Sequence, residues 1–67
     1  MISYRPLFQT MKNKNISTYK LFKEGFQSAT YYSIKKGNSI STNTVDKLCE
    51  ILDCSVDEVI EYIPDEA

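Results

Sequence analysis

Gln27, Ser28, Ala29, Tyr32, Ser33 and Lys36 are spaced to share one side of a helix, with Tyr31 and Ile34 on the other side and Thr30 beside them. Their chemistry suits the edges of nucleic-acid bases. A glutamine amide such as Gln27 bonds base edges, most readily adenine in the two-bond mode. Ser28 and Ser33 can donate to or accept from a base or a phosphate. Ala29 can touch a thymine methyl, and Tyr32 can line a groove wall or reach a phosphate through its hydroxyl. Groups suited to phosphate flank this set. Ser17 and Thr18 stand at a helix start, where free N–H groups favour an anion. Lys35, Lys36 and Asn38 follow the face, and Asn43 opens the next helix.

Other chemistries find few groups to work with. Histidine is absent, so acid–base catalysis would need carboxylates or lysine gathered in a pocket. The carboxylates instead crowd the polar faces of the C-terminal helices, the pattern of a solvated surface. Cys49 falls on an apolar stripe as a small core residue, and Cys54 lies beside a turn. Two cysteines without histidine do not make a structural zinc site, which wants four ligands. The residues indicate no catalytic constellation, metal, cofactor or small-molecule site, and the chain is not expected to be an enzyme. Its start, Met-Ile-Ser-Tyr-Arg-Pro, has no apolar signal core, and no run of about 18 apolar residues could span a membrane. A cytoplasmic location is expected, where a disulfide is not.

The net charge of −1 conceals a division. Residues 1–40 hold seven cations (Arg5, Lys12, Lys14, Lys20, Lys23, Lys35, Lys36) against Glu24 alone, or +6. Residues 41–67 hold Lys47 against eight carboxylates, or −7. Segregated charge creates a local field that can steer a polyanion whatever the total. The candidate base-reading face lies in the basic part.

The elements that would position this face read as five short helices in one all-α domain spanning residues 1–67. Tyr4, Leu7, Phe8 and Met11 recur at i, i+3, i+4, i+7, with Pro6 suited to a first turn. Ser17 caps a short helix anchored by Leu21 and Phe22, and Gly25 can take the left-handed backbone that stops it. Phe26 restarts the chain, Gln27 or Ser28 caps a helix to about Lys36, and Gly37 breaks it. Two helices about a glycine over residues 17–36 form a helix-turn-helix. Val45, Leu48, Cys49 and Leu52 mark a fourth helix. Ser55-Val-Asp-Glu58 reads as a capping box opening a fifth, with Val56, Val59, Ile60 and Ile63 as its stripe and Pro64 as its end. Residues 1–4 are the one segment that could be extended.

The ordered set resembles the lambda-repressor-like, Cro-type helix-turn-helix domains (the XRE group), especially the short single-domain bacterial and phage versions. The resembling features are Asn15-Ile16-Ser17, Gly25-Phe26, the run from Thr30 to Gly37, the run from Ser39 to Leu52, and Asp53-Cys-Ser-Val-Asp-Glu58. The resemblance covers about residues 7–62. It implies sequence-specific binding of double-stranded DNA in the major groove, usually as a dimer, and transcription regulation. It also implies that Gln27, Ser28, Ala29, Tyr32 and Ser33 read bases, while Ser17, Lys36, Asn38 and Asn43 hold the backbone. Family members place leucine five residues and a small residue four residues before the turn glycine. Lys20 and Leu21 stand there instead, which predicts a shorter turn or a rotated second helix. The face also lacks arginine, so guanine recognition by a bidentate fork is missing, which predicts either modest affinity or an A·T-rich target.

The competing expectation is an antitoxin-like or regulatory interaction module that keeps the fold and binds a basic partner through its acidic segment. Val59, Ile60, Tyr62 and Ile63 exceed what a short terminal helix needs for a core, which predicts pairing of two copies across a two-fold axis.

Overall fold

The structure, a computed structural model, describes residues 1–65; Ala67 and Glu66, one of the eight carboxylates counted above, lie outside the described residues. The order is β1 (Ile2–Ser3), α1 (Arg5–Asn13), α2 (Thr18–Lys23), α3 (Ser28–Lys35), α4 (Thr42–Leu52), a 3-10 turn (Val56–Glu58) and β2 (Glu61–Tyr62). Four α-helices form where the apolar spacing predicted them.

Their inward stripes meet in one core of Tyr4, Leu7, Met11, Leu21, Phe26, Tyr31, Ile34, Val45, Leu48, Leu52 and Val59. Phe8, Ile16, Phe22, Ile40 and Cys49 pack around it, half-buried. Burying one such aliphatic side chain contributes about 1.5–3 kcal/mol before chain entropy is counted. Leu21 is fully buried while Lys20 is exposed. The inward stripe of α2 therefore runs through Leu21 and Phe22, and not through the preceding position.

All four α-helices of the described residues stop by the same device. Each runs into a left-handed residue: Asn15 (φ 57°), Gly25 (φ 104°), Gly37 (φ 84°) and Asp53 (φ 52°). The next residue then donates its amide to the carbonyl five positions back: Ile16 to Met11, Phe26 to Leu21, Asn38 to Ser33 and Cys54 to Cys49. This 6→1 bond is the Schellman motif, and at three of the four ends it links two apolar residues or cysteines. Asparagine and aspartate tolerate the left-handed region, but a φ of 104° at Gly25 is costly for any residue with a Cβ.

The fifth helix is not formed. The Ser55 amide does donate to Glu58 Oε1 at 3.2 Å, as a capping box requires, but only the 3-10 turn follows. A continuing helix would need the carbonyls of Glu58 and Val59 for the amides of Tyr62 and Ile63. Both carbonyls instead accept hydrogen bonds from α1. Thr10 Oγ1 donates to the Glu58 carbonyl at 2.7 Å, and the Leu7 amide to the Val59 carbonyl at 3.1 Å. The Ile63 amide goes to the Met1 carbonyl at 2.8 Å, and β1 pairs antiparallel with β2, Ile2 opposite Tyr62 and Ser3 opposite Glu61. The fold is thus mostly helical with a two-stranded ribbon, not a five-helix bundle. Val59 is fully buried in the core and drops out of the surface expected to pair two copies. Ile60 and Ile63 are half-buried, and Tyr62 is exposed.

Candidate nucleic-acid interface

Two neighbouring elements fix the orientation of α3. Tyr31 and Ile34 are buried, and Tyr31 meets Phe8 and Phe22 edge to face at centroid separations of 6.2 and 5.6 Å. Phe26 plugs the turn from the other end. With the inward side fixed, Gln27, Ser28, Ala29, Tyr32 and Lys36 are exposed and Ser33 is half-buried. Tyr32 is held edge-on to Phe22 and Tyr31, at 6.3 and 5.6 Å. Its ring is therefore braced on one side and 53% exposed overall.

Gln27 occupies the N-cap of α3 and makes no capping bond with its side chain. Ser17 and Ser41 differ: their Oγ atoms accept the amides of Lys20 and Thr44 at 3.1 and 3.2 Å. The Gln27 amide group is left for a partner outside the helix.

The flanking residues are distributed unevenly. Ser17 shares a small cleft with Lys12 and Asn15, while Thr18 is half-buried in the first turn of α2. Lys35 lies on the opposite flank, in a cleft with Arg5, Phe8 and the N-terminal strand, its Nζ 6.0 Å from the Tyr31 ring centre. That distance suits a cation–π contact. Lys36 is the lysine on the outward face. Asn38 follows Gly37, and its carbonyl accepts the Tyr4 hydroxyl at 2.7 Å, tying the loop after α3 to the start of α1. Asn43, in the first turn of α4, borders a cleft of about 300 Å³ with Gly25, Phe26, Gln27, Thr30, Thr44 and Lys47. The fold thus brings Gln27 and Asn43 together and sets Lys35 apart from them. Lys12 and Lys47 are additions that spacing along the chain did not reveal. Lys12 lines the cleft that holds Ser17, and Lys47 the cleft that holds Gln27 and Asn43.

On α4 the charges divide. Lys47 faces the α3 turn, whereas Asp46 borders a different, largely apolar cleft with Val45, Cys49, Cys54, Ser55, Val56 and Ile60. Burial, together with the neighbouring Cys49, pushes the Cys54 thiol up to about 11, so it stays protonated at neutral pH. Cys49 and Cys54 are the two ends of the Schellman closure of α4. No cluster of three or more His, Cys, Asp or Glu side chains able to hold a metal occurs among the described residues. Among those residues, too, no helix is long and apolar enough to cross a membrane.

A family model described as a Cro/C1-type HTH DNA-binding domain matches residues 7–65. Comparison with curated proteins and with solved structures gave no significant match. The family match begins within α1 and runs through β2, taking in every helix that positions the α3 face. The chain belongs to the Cro/C1-type helix-turn-helix DNA-binding family.

Proposed function

We propose that the protein is a sequence-specific transcriptional regulator that reads the major groove with residues 28–36 and the adjoining Gln27. The observation that carries this reading is the uncapped Gln27 at the head of an α3 whose outer side presents Ser28, Ala29, Tyr32 and Lys36. Gln27, Ser28, Ala29, Tyr32 and Ser33 read bases. Ser17, Thr18, Lys36, Asn38 and Asn43 hold phosphates, with Lys35 the most lateral member of that set. Without arginine on the face, the preferred site is A·T-rich.

Gel shifts against fragments that include the protein's own promoter test the reading. Binding at about 50 mM salt that weakens steeply as salt rises is expected, and no binding there would sink it. Lys36→Glu weakens every sequence alike, whereas Gln27→Ala changes the order of preference. Equal weakening of all sites by both variants would overturn the division of roles. Binding as a homodimer through Tyr62, Ile60 and Ile63 is part of the proposal. A monomer by sedimentation at tens of micromolar, with and without DNA, removes that part alone.

A further inference from the structure

Lys47 is the single cation in residues 41–67, and it lines a different cleft from its sequence neighbour Asp46. It lines the cleft between α4 and the turn before α3, beside Gln27, Thr30 and Asn43. Its Nζ lies only 3.9 Å from where a Cβ on Gly25 would stand. The one ion pair among the described residues is Arg5–Glu61, so none of the described carboxylates pairs with Lys47. An exposed ammonium beside two side-chain amides, with no counter-charge in the cleft, suits a single anionic oxygen group. The cleft opens at the head of the reading helix, where a groove edge would lie.

We infer that Lys47 holds a DNA backbone phosphate beside the groove that α3 enters, with the Gln27 and Asn43 amide groups as further donors. This rests on the DNA-binding reading and assigns it a contact from within the acidic segment. It also makes Gln27 a bridge between base and backbone, since the residue is exposed at the head of α3 and lines the cleft.

The test uses the full chain, a short mixed-sequence duplex and fluorescence anisotropy over a range of salt concentrations. Lys47→Gln is expected to weaken binding several-fold, alike on unrelated duplexes, and to lower the salt slope by about one. Lys47→Arg keeps the slope. Lys14→Gln removes the same charge at the far end of α4, where the Lys14 ammonium bonds the Asp53 carbonyl at 3.2 Å, and leaves the slope unchanged. Wild-type binding with an unaltered slope in Lys47→Gln, or an equal loss in Lys14→Gln, overturns the Lys47 assignment alone. No wild-type binding at about 50 mM salt overturns the DNA-binding reading and this inference together.

Discussion

Residues 41–52 and 55–63 carry nearly the same local signals and end as different structures. Each opens on a serine cap. Each places apolar residues at i, i+3, i+4, i+7: Val45, Leu48, Cys49 and Leu52 in one, Val56, Val59, Ile60 and Ile63 in the other. The first is an eleven-residue helix; the second is a 3-10 turn followed by a strand. Two differences account for this. All four stripe residues of the second segment are β-branched, which suits strands better than helices, and Pro64 draws Ile63 away from helical backbone. More decisively, α1 takes the carbonyls that a helix would need. Tyr4, the α1 N-cap, makes no side-chain cap bond, and the Leu7 amide is shared between the Tyr4 carbonyl at 3.0 Å and the Val59 carbonyl at 3.1 Å. Residues 58 and 59 are thus tied to α1 through Thr10 and Leu7. Amphipathic spacing selects which residues are buried in both segments, but competition for backbone groups selects the secondary structure.

Four variants probe this contrast. Leu48→Ala in the fully buried stripe of α4 should cost about 3 kcal/mol in chemical denaturation. A cost below about 1 kcal/mol would mean that the α4 stripe does not carry the core. Thr10→Val keeps the shape but leaves the Glu58 carbonyl without its donor, and should cost about 1–2 kcal/mol. A neutral result would mean that the carbonyl is not held by α1. The pair Ile63→Leu with Pro64→Ala removes two local obstacles to a helix. Because the carbonyls stay occupied, the circular dichroism signal should gain no helix, and a clear gain would show that local propensity alone decides. Arg5→Gln breaks the ion pair between an exposed arginine and Glu61 near the ribbon, and should change stability by less than about 0.5 kcal/mol. A loss of several times that would make the ribbon's charges, not its backbone bonds, responsible for its position.

The same contrast explains what the amino-acid sequence discloses. Gly25, Phe26 and the Tyr31–Ile34 spacing act within a few residues of each other, so α3 and its outward face are legible from the order of residues alone. The burial of Leu21 in place of Lys20 also follows from local spacing, because Leu21 and Phe26 close one Schellman pair. The ribbon, the buried Thr10 and the role of Val59 depend on residues about 50 to 60 positions away, and no local pattern announces them. Lys47 is the instructive case in the site. Counted along the chain it belongs to the acidic segment, but α4 turns it toward Gly25 and Gln27 while Asp46 faces another way. A charge total over a segment averages across two sides of one helix.

The repeated left-handed corners have a kinetic meaning. Each is closed by a bond spanning five positions, so it can form as soon as its own helix does. The contacts that place residues 58–63 join them to residues 1–10 and must wait for the chain to bring its distant parts together. Folding should therefore begin with the helices and their corners and finish when α1 captures the Glu58 and Val59 carbonyls. Thr10→Val would then unfold faster than wild type while refolding at nearly the same rate, and slower refolding would place that capture early instead.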